Sequence, residues 1–128
     1  MSSVPPEAER LLEAEPLMAH LATSVDDRPH VAPVWYRYED DTIEIVTGGR
    51  KLENIRENPR VAVSVQKDEG GDAQWAVVLR GTATVVEDED ENEAATRRIH
   101  GKYGADPDAY PDNVLVRIDV GSANYWTY

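Results

Sequence analysis

The chain has 128 residues, no cysteine and a formal net charge of −12. That length supports one hydrophobic core, so one domain over residues 1–128 is expected. The missing cysteines exclude a disulfide, a thiolate nucleophile and a Cys-based metal site. The acidity argues against a nucleic-acid partner, which would need clustered cations.

His20, His30 and His100 are widely spaced, so no metal site is expected. No run approaches the ~20 apolar residues of a membrane span. The start, Met1-Ser-Ser-Val-Pro-Pro-Glu, lacks the basic and apolar regions of a secretory signal, and the expected address is the cytoplasm. Lysine occurs only at positions 51, 67 and 102, while acids are spread over the chain. This pattern reads as adaptation to high salt, where dense carboxylates keep a surface hydrated.

In chain order, the prolines and acids at 5–9 open a short helix that Pro16 closes. Residues 17–25 read as a strand ending in the Asp26-Asp27-Arg28-Pro29 turn. Residues 30–38 alternate and favour a strand, with Pro33 requiring an edge, a bulge or a ligand-facing backbone. Glu39-Asp40-Asp41 turns the chain into a strand over 42–47, and residues 51–57 form a short helix stopped by Asn58-Pro59. Strands follow over 60–66 and 74–86, separated by a polar loop at 67–72, the second strand bent at Gly81. A solvated acidic stretch at 87–93 leads into a helix to about Tyr103, then a loop over 104–112 and two closing strands, 114–120 and 123–127. Six or seven strands with few short helices predict a mainly β protein, an antiparallel sheet curled into a barrel.

The stretch Ile45-Val-Thr-Gly-Gly-Arg-Lys-Leu-Glu-Asn-Ile-Arg-Glu-Asn-Pro59 carries the most chemistry. A strand ends in Gly48-Gly49, which delivers Arg50 and Lys51 to the first turn of a helix. Such a turn exposes unpaired N–H groups and a partial positive charge. The glycines permit close backbone approach, Arg50 offers a planar fork of donors and Lys51 a compact charge. Local sequence leaves two readings open, a bound phosphate or a solvated corner.

Three stretches together resemble the flavin-binding split-barrel superfamily, the pyridoxamine 5′-phosphate oxidase-like proteins and the F420-dependent reductases among them. They are Leu21-Ala-Thr-Ser-Val with Arg28-Pro-His-Val-Ala-Pro-Val-Trp-Tyr36, the 45–65 block with its Arg-Lys-x-x-Asn-Ile-x-x-Asn-Pro pattern, and Leu79-Arg-Gly-Thr-Ala-Thr-Val85. The resemblance implies a split β-barrel of six or seven strands and an oxidoreductase binding FMN, or alternatively F420, and acting on a small molecule. A flavin-binding protein without turnover is the competing reading.

The resemblance also implies that Arg50 and Lys51 hold the cofactor phosphate, with Gly49 in the same turn, and that Val46 and Thr47 meet the ribityl-phosphate. It sets the backbone of His30, Val31, Ala32 and Pro33 along the flavin ring. It implies a homodimer in which the terminal aromatics Tyr125 and Trp126, or else Trp75, cover the ring from the partner chain. Residue statistics favour packing roles for the tryptophans, a core or interface place for His20 and a surface place for His100. Arg56 reads as a phosphate neighbour or as the partner of Glu53 or another acid. Val31 and Tyr36 stand where the oxidase proper carries arginine and lysine, and the chain ends in Asn-Tyr-Trp-Thr-Tyr128 rather than an Arg-x-His segment. These departures argue against pyridoxamine-phosphate oxidase activity itself.

Overall fold

The computed structural model describes residues 3–128. The elements are α1 (Pro6–Ala14), β1 (Ala19–Val25), β2 (Arg28–Val34), β3 (Arg37–Glu39), β4 (Thr42–Thr47), α2 (Gly49–Glu57), β5 (Arg60–Glu69), β6 (Asp72–Val86), α3 (Glu89–Tyr103) and β7 (Val114–Thr127). The strands form one antiparallel sheet in the order β2-β1-β5-β6-β7-β4-β3, the mainly β barrel architecture expected. Alternating apolar residues point inward: Val61, Val63 and Val65 of β5 and Trp75, Val77 and Leu79 of β6 are buried, as period-2 patterning requires.

Four sequence expectations are corrected. The strand over 30–38 is two strands, β2 and β3, broken at Trp35-Tyr36. The polar run 67–72 is a tight hairpin, because Gly70 and Gly71 adopt positive φ and let the flanking strands extend to Glu69 and Asp72. The closing strands are one, β7, whose pairing with β6 shifts register at Arg80/Gly81. The bend at Gly81 is present and has a steric cause, since a Cβ there would lie 2.3 Å from the Asp119 carbonyl oxygen. Finally, α2 begins at Gly49, not at 51.

The break at Trp35-Tyr36 removes two backbone groups from the ladder, and the end of α3 replaces their partners. The Tyr36 N–H donates to the Tyr103 hydroxyl oxygen at 3.2 Å, and Lys102 Nζ donates to the Tyr36 carbonyl at 2.8 Å. The Tyr103 hydroxyl itself donates to Leu17 O at 2.6 Å. No buried backbone group of Tyr36 is left unmade, which is the condition for tolerating a strand break inside the fold. The buried Tyr36 side chain reaches α1, donating to Leu12 O at 2.7 Å.

Helix α3 is fixed at both ends. Asp88 caps it by accepting from Glu91 N at 2.9 Å, and Gly104 closes it in the left-handed conformation. Asn92 staples it between strands, donating to Val86 O and accepting from Leu115 N, each at 2.7 Å. On the same side Glu44, buried in β4, draws in Arg37, Arg98 and Arg117 at 3.1–3.2 Å. Burial opposes ionisation of Glu44, but the hydrogen bonds and charges of Arg117 and Arg98 outweigh it and lower its pKa.

Candidate functional site

The Gly-Gly-Arg-Lys turn sits where β4 meets α2. Gly48 is the N-cap and makes no side-chain cap, and the first turn of α2 contains no acid. Its N–H groups and the positive end of its dipole therefore have no capping carboxylate, and Arg50 and Lys51 add further positive charge there. Gly49 has φ +64°, and no atom lies within 4 Å of where its Cβ would be. That is a left-handed turn with open space over it, as a backbone cradle needs.

The rest of the motif positions this turn. Asn54 Nδ2 donates to Thr23 Oγ1 of β1 at 3.0 Å, with both residues buried, and Asn58 Nδ2 donates to Ser24 O at 3.0 Å. Ile55 is buried beneath the helix. The two asparagines thus pin α2 to β1, a role that the sequence motif contained but that residue type alone did not reveal. Arg56 pairs with Glu87 at 2.9 Å, which settles its partner as an acid other than Glu53.

Two neighbouring depressions open around the turn. The larger, about 490 Å³, is lined by Pro33, Val46, Thr47, Gly49 and Lys51 and walled by Trp35, His100, Tyr110 and Asn113. The smaller, about 300 Å³, brings His30 and Arg50 together with Asn54 and Glu53. Arg50 and Lys51 therefore stand side by side but line different hollows. Arg50 pairs loosely with Glu53 at 3.5 Å, both well exposed, and Lys51 makes no ion pair among the described residues. In the smaller hollow, His30 Nδ1 is buried with no hydrogen-bond partner.

The remaining candidates fall outside both hollows. Val31 is 65% exposed on β2, an edge strand of the sheet, and Ala32 is half-buried beside it. Pro33 thus occupies the sheet edge that its missing donor demands. Trp126 is 49% exposed at the end of β7, opposite Ala76, and Trp75 is buried in the core. Tyr125 is half-buried, its hydroxyl donating to Glu7 at 2.9 Å.

The surface place expected for His100 and the core alternative for His20 are corrected. His100 is buried, because the loop after α3 folds back and its Asp106 carbonyl lies 2.9 Å from Nδ1. His20 is exposed within this chain, since it points out of the sheet between buried Ala19 and Leu21. Trp35 stacks on Tyr103 with centroids 5.0 Å apart and meets His100 and Tyr110 edge-on, so the cleft has an aromatic wall. Lys102 lies 3.7 Å from the Tyr36 ring centroid; burial, and then the charge of Arg37, push its pKa down to about 8.

Residues 5–124 match the family model described as pyridoxamine 5′-phosphate oxidase, and the chain belongs to that family. No curated protein matches the sequence. Among solved structures, an F420 reductase is 28% identical, with 94% of this chain and 98% of that one covered and a TM-score of 0.75. An FAD-binding protein from Mesorhizobium loti is 24% identical over 95% of this chain and 94% of that one, with a TM-score of 0.77. The haem storage protein of Vibrio cholerae is 16% identical over 99% and 95%, with a TM-score of 0.78. The last two likenesses concern the fold alone. No helix among the described residues is long and apolar enough to cross a membrane.

Proposed function

We propose that the chain is an oxidoreductase that binds FMN, with F420 as the alternative cofactor, and acts on a small molecule. The observation carrying this reading is the first turn of α2: an uncapped helix N-terminus, an open left-handed Gly49 and two cations, beside a cleft large enough for a conjugated ring. The orphaned Nδ1 of His30, next to Arg50, fits a polar group supplied from outside the chain. Arg50 and Lys51 hold the phosphate, Val46 and Thr47 flank the polyol chain, and the β2 edge from His30 to Pro33 lies along the ring. The cofactor, when bound, supplies the hydride chemistry; the protein binds, orients and shields it. The F420 reductase likeness supports the deazaflavin alternative.

The working unit in this reading is a homodimer with a cofactor at each end of its interface. Val31, Trp126 and Tyr128 leave apolar surface on the isolated chain that a second copy covers. Binding without turnover is the competing reading, favoured by the absence of any carboxylate among the residues lining the larger cleft.

Replacing both Arg50 and Lys51 by Ala weakens FMN binding by roughly 2–5 kcal/mol, the scale of lost charge-assisted phosphate contacts, with little change in folding. Equal affinity in the double variant overturns the phosphate assignment. Purified protein showing the two-banded flavin spectrum supports FMN, and a single deazaflavin band supports F420. Protein that takes up neither contradicts the enzyme and carrier readings alike.

A further inference from the structure

We propose that His100 contacts the cofactor, its Nε2 accepting a hydrogen bond from a hydroxyl of the polyol chain that FMN and F420 share. The proposal rests on the functional reading above and adds a residue that the sequence placed on the surface.

The tautomer follows from the hydrogen bond. Nδ1 lies 2.9 Å from the Asp106 carbonyl oxygen, which can only accept, so Nδ1 carries the proton. In the neutral ring Nε2 is then a bare acceptor. It has no hydrogen-bond partner among the described residues, although the residue is only 1% exposed. A ring acceptor without a protein partner, on a residue that lines the cleft, is open to a donor supplied by a ligand.

The ring cannot readily turn to exchange its nitrogens. Trp35 meets it edge-on at 5.7 Å and Tyr110 at 6.4 Å, and rotation would break the Asp106 bond. The loop that holds it is tied to the proposed polyol end of the cleft: Asn113 Nδ2 donates to Val46 O at 3.4 Å, and Asn113 Oδ1 lies 3.3 Å from where a Gly48 Cβ would be. His100 consequently lines the same cleft as Val46, Thr47 and Lys51. A ligand whose phosphate rests on the first turn of α2 presents its polyol next, and hydroxyl donors complement a bare nitrogen acceptor.

The test is nuclear magnetic resonance of isotope-labelled histidine in the full chain, titrated separately with FMN and with F420. Before addition, His100 shows a protonated Nδ1 and a bare Nε2. At saturation the Nε2 resonance moves in the direction of an accepted hydrogen bond while Nδ1 stays in place. His100→Asn, whose amide keeps a donor for Asp106 but lacks the Nε2 acceptor, identifies the signal and binds FMN roughly fivefold to tenfold more weakly. His100→Gln, which restores an acceptor near the Nε2 position, recovers part of that loss. Saturation with a still Nε2 signal, or a His100→Asn variant that binds as tightly as wild type, overturns the proposal and leaves the phosphate site intact. Failure to bind either cofactor instead removes the functional reading, and this proposal with it. If His100→Asn does not fold, the wild-type titration decides alone.

Discussion

Lys102 carries two jobs that pull its charge in opposite directions. Its ammonium donates to the Tyr36 carbonyl and sits over the Tyr36 ring, contacts that favour the cation. Burial and Arg37 win, and the pKa falls to about 8 from the ordinary lysine value of 10.5. Lys67, half-buried beside Glu15, moves upward through their hydrogen bond. A carbon-detected pH titration of labelled lysine is therefore expected to show Lys102 losing its proton before Lys67. Because the folded pKa lies below the unfolded one, the charged form of Lys102 costs stability below about pH 8, and that cost is relieved as pH rises from about 8 toward 10.5. The raised pKa of buried Tyr36 acts in the other sense above about pH 10 in the unfolded chain, so the gain is to be read before tyrosine ionisation sets in. A Lys102 signal that titrates with or after Lys67 would contradict the burial argument.

At the scale of elements, the β6–β7 pair shows how one glycine sets geometry. A Cβ at Gly81 would lie 2.3 Å from Asp119 O and 3.0 Å from Ile118 Cγ2, and the first of these is backbone. Gly81→Ala is expected to lower stability by about 2–4 kcal/mol in denaturant unfolding, since the register shift must open. Gly101, on the exposed side of α3, has nothing within 4 Å, so Gly101→Ala is expected to raise stability by about 0.5–1 kcal/mol through helix propensity. Equal effects at the two positions would sink the steric account.

The same scale shows what the sequence could carry. Alternation made the β strands legible, and Gly81 marked its bend. The break at Trp35-Tyr36 was hidden, because the alternating pattern continues across it. Only the distant side chains of Lys102 and Tyr103 make the broken ladder affordable. The burial of His100 is hidden for a related reason: on α3 it follows Arg97 and Arg98, and the loop that buries it folds back from residues 104–113. The Arg50 and Lys51 pair was legible because a Gly-Gly turn between a strand and a helix is a local feature. That the two line separate hollows depends on tertiary packing.

At the scale of the whole molecule, a net charge of −12 on 128 residues repels itself in dilute buffer. Raising salt from ~0.1 M to ~1 M shortens the screening length from ~10 Å to ~3 Å, so the melting temperature is expected to rise with sodium or potassium chloride. A flat or falling profile would remove the high-salt reading of the composition. The same global field disfavours an anionic ligand everywhere except where cations gather, which makes the α2 turn the decisive place to probe. The most direct measurement is calorimetric titration of wild type and the Arg50→Ala/Lys51→Ala variant with FMN and with riboflavin, which lacks the phosphate, and with F420 in parallel. Wild type is expected to prefer FMN to riboflavin by roughly thirtyfold or more, and the double variant to lose most of that preference. Wild type that binds riboflavin as well as FMN, with no loss of F420 affinity in the variant, would contradict it.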